Sequence, residues 1–280
     1  MQKSVYVIVL NYNSADDCKK CVSFLKQQRY DNLTILLIDN NSSAPNENSK
    51  LISVQQEFQV EVIFNKENKG YSAGNNIGLR KALQAGAEWC LIINPDVVLD
   101  NKDYISDMIC KCSEFPEAVV AASKMLLPSG ERQNPYSEIS YADEVLWMLN
   151  AIQQKVGKHK NYLMEDKTGY CQKVSGCCFF IKCSFLKEIN FLDENVFLYC
   201  EEPILASQVK KYGHRELYVS EIMGYHNHFP SQKGATGTRM EKLIDSRMYY
   251  LKVHSGYKGI ALKLALISKK IQKIFWKVKG

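Results

Sequence analysis

Three apolar runs in the first hundred residues each end in a polar cluster. "VYVIVL" runs into Asn11-Tyr12-Asn13, "TILLI" into Asp39-Asn40-Asn41, and "LII" into Asn94-Pro95-Asp96. No polar residue interrupts the apolar core of any run, so both faces of each strand must be covered. Val60–Phe64 reads as a further short strand. Between the strands, Cys18, Cys21, Val22 and Leu25 fall on one helical face, and Gly70–Ala87 reads as a helix entered through a Gly/Asn-rich loop. Strands alternating with helices predict an α/β fold: a mostly parallel sheet with flanking helices. With 280 residues, 46% hydrophobic and 24% charged, the chain can bury one large core.

In such sheets ligands bind outside the carboxyl ends of the strands. One Asn/Asp cluster is explained by turn formation alone. Three at the same edge point to a ligand crevice, with Asp96 at a strand tip facing it. The loop after the first strand contains no glycine, which excludes the dinucleotide fingerprint, and no Walker A pattern occurs. The glycines fall instead in "NKGYSAGNNIG". There Gly70 and Gly74 permit close backbone approach, and Asn75 and Asn76 could supply amide donors to a phosphate or sugar.

The second half carries "VSGCCFFIKCSFLKEINFLDENVFLYCEEPILASQVKKYG". An apolar strand leads to a helix-like Phe185–Ile189, and an aromatic-rich run then ends at Glu201-Glu202. Pro203 marks a helix start. Glu202 is therefore either a charge facing the helix dipole or a carboxylate base placed by it. His226 and His228 in "GYHNHFPS" are candidate metal ligands, or structural histidines. Ten cysteines, with a single CxxC at Cys18 and Cys21, do not make a zinc site. No signal-peptide pattern precedes the first strand, so buried, reduced thiols in a cytoplasmic protein are the expectation.

Several of these stretches, in order, resemble the family-2 glycosyltransferases of the GT-A fold, and "INPDV" is similar to the rhamnosyltransferase-like members. "VYVIVLNYNS", "TILLIDNNSS", "NKGYSAGNNIG", "FLDENVFLYCEE" and "YHNHFPS" carry the rest of the likeness, over roughly residues 4–255. The resemblance implies inverting transfer from a nucleoside-diphosphate sugar, either dTDP-rhamnose or a UDP-hexose. The acceptor would be a growing polysaccharide or lipid-linked oligosaccharide. It implies a donor site from Asn11, Tyr12, Asn13, Asp39, Asn40, Asn68, Gly70, Asn75, Asn94 and Asp96, with Asp39 on the base. Asp96 and His226 would hold Mn²⁺ or Mg²⁺. Glu202 would be the base, with Glu201 as neighbour or substitute. The family's Glu-Asp-Val-Asp-Leu here reads Glu201-Glu202-Pro203-Ile204-Leu205, and Gln208 replaces an Arg. These departures support an alternative: a catalytically weak, nucleotide-sugar- or glycan-binding subunit of an assembly complex. A nucleotidyltransferase would need a glycine-rich basic loop where "NYNSADD" stands.

Residues 1–125 are expected to form the nucleotide-sugar half, 126–230 the acceptor and catalytic half, and 231–280 a helical tail. Pro128–Gln172 reads as an acceptor-facing insertion. The tail, residues 257–280, has seven lysines and no acid. Ile260, Leu264, Ile267, Ile271, Ile274 and Val278 form one stripe, with most lysines on the other side. That pattern suits peripheral attachment to an anionic membrane at its inner face, the alternative being a helix docked on the domain or in a homodimer. The net charge of +6 suits phosphates or such a surface, and no nucleic-acid motif accompanies it.

Overall fold

The computed structural model describes residues 2–150, 162–227 and 236–279. His228 and residues 151–161, within the insertion, lie outside these residues. The strands are β1 (Val5–Asn11), β2 (Leu33–Asp39), β3 (Glu61–Phe64), β4 (Trp89–Ile93), β5 (Val97–Val98), β6 (Ala118–Leu126), β7 (Gly169–Cys171), β8 (Cys178–Lys182) and β9 (Arg215–His226). The helices are α1 (Ala15–Leu25), α2 (Glu47–Phe58), α3 (Tyr71–Gln84), α4 (Tyr104–Glu114), α5 (Tyr141–Val145), α6 (Cys183–Glu188), α7 (Glu201–Lys211), α8 (Thr236–Val253) and α9 (Gly259–Lys279).

One sheet runs β3-β2-β1-β4-β8-β6-β9-β5, with β7 added to β9. The pairs among β1 to β4 are parallel, as is β6 with β9, while β8 enters antiparallel between β4 and β6. The uninterrupted apolar runs are explained by two cores, one on each face. Val7, Val9, Leu37, Leu91 and Phe180 pack with α1 and α4 on one side. Ile8, Ile38, Ile92 and Phe179 pack with α3, α6 and α7 on the other. Each such side chain contributes roughly 1.5–3 kcal/mol on burial. The cysteines are free thiols, with Cys18 and Cys21 buried one turn apart on α1.

The tail corrects the sequence expectation in one respect. Its lysines are not all on a solvated face. Lys269 is buried against Glu144 of α5 at 3.0 Å, and Lys273 reaches Asp245 of α8 at 2.6 Å. Ser268 and Ala265 are buried too, and Trp147 packs on Phe275. The polar and small face thus docks on the domain, and the isoleucine stripe faces outward, 46% to 84% exposed. No described helix is long and apolar enough to cross a membrane.

Candidate functional site

β4 ends in a turn in which the Val97 amide donates to the Asn94 carbonyl at 3.1 Å. That turn lifts Asp96 out of the strand without leaving backbone groups unsatisfied. β5 then pairs with β9, Val97 opposite His226. This register, not sequence proximity, brings His226 Nε2 within 3.2 Å of Asp96 Oδ1. The other ring nitrogen, Nδ1, lies 2.6 Å from Gln133 Oε1. Burial alone would depress His226, but the hydrogen bond and charge of Asp96, with Cys177, push it up to about 10.

A crevice of about 520 Å³ opens here. Tyr12, Asn40, Asn68, Gly70, Asn94 and Asp96 line it, joined by Phe197 and Lys242. A second crevice, of about 640 Å³, shares Tyr71, Asn94 and Leu198 with the first. Its walls carry Glu201, Glu202, His226, Lys173, Tyr136 and Arg247. The Asp96–His226 contact spans the two. One crevice therefore meets the other at a carboxylate-imidazole pair, with two further carboxylates beyond.

Four predicted donor residues lie elsewhere. Asn11 is buried, donating to Asp39 Oδ1 at 2.8 Å and to Glu47 Oε2 at 3.2 Å. Asn13 accepts from the Ser43 and Ala44 amides, joining two loops. Asn75 is fully buried in α3, its amide donating to the Tyr71 carbonyl. Asn11 and Asn75 are turned inward and Asn13 is tied to the neighbouring loop, so none of the three lines the crevice. Asp39 is also buried, accepting from Asn11 and from the Ser42 amide and hydroxyl. Lys242 and Arg247 were not legible in the sequence, because no motif surrounds them and α8 follows β1 by more than two hundred residues, while Phe197 sits inside "FLDENVFLYCEE" without a signal of its own.

Gly70 has φ of 103°, and a Cβ there would sit 2.2 Å from the Phe197 carbonyl oxygen. Asn68 accepts from the Gly70 amide at 2.9 Å, and the Tyr71 amide donates to Phe197 at 3.0 Å. The glycine thus joins both sides of the first crevice. Gly70→Ala should destabilise the chain by about 3 kcal/mol, from the clash and the left-handed backbone. Thermal unfolding checks this, and an unchanged midpoint would contradict the close approach.

The first two residues of α7 are Glu201 and Glu202. Pro203 follows in the same first turn, where amides have no intrahelical partner. The Gly176 amide donates to Glu202 Oε1 at 3.3 Å, the long end of hydrogen bonding. Burial, then the Glu202 charge, pushes Glu201 up to about 7. Behind them a cavity of about 20 Å³, room for one water, is lined by Glu201, Gln208 and Glu216. Each of these presents a buried oxygen that accepts no hydrogen bond. Gln208 brings no cation here. Burial pushes Glu216 up to about 8.

A raised carboxyl is held neutral by the fold, so its stabilising contribution is complete below the ordinary value of 4.5 and is lost as pH rises toward 8. Unfolding free energy should fall by about 1.4 kcal/mol per pH unit for such a group across that window. Urea denaturation at several pH values checks this. Glu216→Gln should flatten the slope, and an identical slope would exclude Glu216 as its source.

The donor set admits a divalent cation only sparsely. Among the described residues no group of three or more His, Cys, Asp or Glu side chains is placed to hold a metal. Asp96 and His226 can supply two ligands, which suits Mn²⁺ or Mg²⁺ when substrate phosphates complete the shell. Ligation needs the neutral ring. His226 is thus either an imidazolium partner of Asp96 or a ligand.

The model of the glycosyl transferase family 2 matches residues 6–189. The low-salt glycan biosynthesis hexosyltransferase Agl10 of Haloferax volcanii is 26% identical over 206 residues, 72% of this chain and 60% of that protein. The chain thus spans less than two thirds of that curated relative. Among solved structures, the Pyrobaculum calidifontis mannosyltransferase PcManGT, with GDP-Man and Mn²⁺, superposes with a TM-score of 0.63 at 13% identity. That match covers 100% of this chain and 76% of the other. TarS 1-349 of S. aureus, with UDP-GlcNAc, gives 0.60 at 13% identity over 96% and 73%. At such identities the structural likeness speaks to the fold.

Proposed function

Because this chain belongs to glycosyl transferase family 2, we propose that it transfers a hexosyl or rhamnosyl group from a nucleoside-diphosphate sugar, with inversion, to a glycan hydroxyl. The observation that carries this reading is the pair of joined crevices, with Asp96 at the junction and Glu202 in the second. The donor occupies the first crevice. Its base packs on Tyr12, with Asp39 behind bracing Asn11 and Ser42, and Asn40, Asn68 and Gly70 shape the wall. Lys242 adds positive charge against the diphosphate. A divalent cation, held by Asp96 and His226, would supply Lewis-acid stabilisation of the leaving diphosphate. Glu202 accepts the proton of the acceptor hydroxyl. The acceptor oxygen then bonds to the anomeric carbon as the sugar–phosphate bond breaks, and nucleoside diphosphate leaves with that electron pair. A hexosyltransferase relative, and structural neighbours solved with GDP-Man or UDP-GlcNAc, support this class of donor.

Incubation with nucleotide sugars and a glycan acceptor tests the reading. Glycosylated product and stoichiometric free nucleoside diphosphate are expected, whereas pyrophosphate release would indicate nucleotidyl transfer. Gln208 and Ile204 favour one other reading, a subunit that binds the donor without turnover. Donor binding with no product in any acceptor screen would support it.

The outward stripe of α9, flanked by Lys263 and Lys270, supports peripheral contact with an anionic lipid surface at the cytoplasmic face. Deleting the helix would strip Lys269 from the buried Glu144, so substitution is the cleaner test. Ile267→Lys with Ile271→Lys should weaken partition to anionic vesicles roughly 100-fold, from the loss of at least ~3 kcal/mol of apolar burial. Donor binding should not change. Equal co-sedimentation of both proteins would remove the membrane from the account.

A further inference from the structure

Resting on that transferase reading, we propose that the second crevice is built for an acceptor whose sugar is attached through a phosphate, with Arg247 as the residue that binds the phosphoryl group. Arg247 lies on α8 and lines the crevice that also holds Glu201 and Glu202. Its side chain is buried, about 9% exposed. Nη2 donates to Glu144, and the guanidinium stacks over the Tyr250 ring at 4.6 Å. Its Nε is buried with no hydrogen-bond partner.

Glu144 is shared. Lys269 of α9 contacts its other oxygen at 3.0 Å. Two buried cations therefore divide one carboxylate, and burial, then the charge of Arg247, pushes Lys269 down to about 8. Segments 151–161 and 228–235, outside the described residues, contain no Asp or Glu in their sequence. A buried guanidinium that shares its one carboxylate with a lysine and keeps a donor unpaired is costly to the fold, and an anionic ligand would offset that cost. Arg suits phosphoryl oxygens through its planar fork of donors. Lys173, also in the crevice wall, adds a second cation near Tyr136. About 640 Å³ is within the range of sites that hold ligands of this size.

The position of the cluster selects a phosphate over a sugar carboxylate. Glu144, Arg247 and Lys269 join α5, α8 and α9, and α9 is the helix whose apolar stripe faces outward. A saccharide linked by phosphate to a lipid would place its charge at this joint, its sugar hydroxyl toward Glu202, and its chain toward the stripe.

Soluble probes test this without knowing the natural acceptor. Octyl glucosyl phosphodiester, octyl glucoside and octyl glucuronide are titrated into the full chain, with Mn²⁺ and UDP or dTDP present to fill the first crevice. The phosphodiester should bind at least tenfold more tightly than the glucoside. Arg247→Met should erase that preference, and Arg247→Lys should keep part of it. Equal binding of phosphodiester and glucoside overturns the proposal, as does a preference that survives in Arg247→Met. Tighter binding of the glucuronide also overturns it, in favour of a carboxylate ligand. Should Arg247→Met fail to fold by circular dichroism, the three-probe comparison on the parent chain decides alone. Nucleotide binding and turnover are read separately, so failure of the transferase reading leaves a distinct signature.

Discussion

Glu202→Gln should lower glycosyl transfer by about 10²- to 10⁴-fold, the usual contribution of a positioned general base. Gln keeps an oxygen for the Gly176 amide, so the helix start and crevice shape are preserved. Donor affinity should stay within about twofold, because the residue touches the acceptor side. Glu201→Gln is the control. Burial, then the Glu202 charge, pushes Glu201 up to about 7, so near neutrality it is partly protonated. Its substitution should cost less than about tenfold in rate and abolish any titration of activity near pH 7. Steady-state rates across pH 5.5 to 9 (a range of roughly ten points) measure both effects. If Glu201→Gln alone gives the full loss, the base has been assigned to the wrong glutamate.

Asp96→Ala should remove metal-dependent donor binding and lower turnover by about 10²- to 10³-fold. That magnitude corresponds to several kcal/mol of leaving-group stabilisation. The substitution also takes from His226 the carboxylate 3.2 Å away, so the ring loses its main stabilising charge. His226→Ala should weaken metal dependence less, since Asp96 keeps an oxygen for the cation. Donor titration with and without Mn²⁺ reads both. Metal dependence intact in Asp96→Ala would show that the cation is held elsewhere.

The sequence carried the sheet clearly, because apolar runs such as "VYVIVL" and "TILLI" admit few other placements. Asp96 was legible for a local reason: a carboxylate after a buried strand must leave the core at that point. The roles of Asn11, Asn13 and Asn75 were not. An amide that lines a crevice and one that braces a loop are the same letter, and Glu47 and Ser43 decide between them. The joining of Asp96 to His226 depends on β5 pairing with β9, a contact across 130 residues. The tail shows a related limit. Its helical stripe was legible, but not which face would dock, because Lys269 could be buried only with Glu144 waiting on α5.

The central claim is a metal-assisted nucleotide-sugar site in the first crevice, and calorimetric titration tests it most directly. The full chain is titrated with a panel of nucleotide sugars, with and without Mn²⁺. One donor should bind, more tightly with Mn²⁺, and Asp96→Ala should lose the metal-dependent part. No binding of any nucleotide sugar under either condition would contradict it.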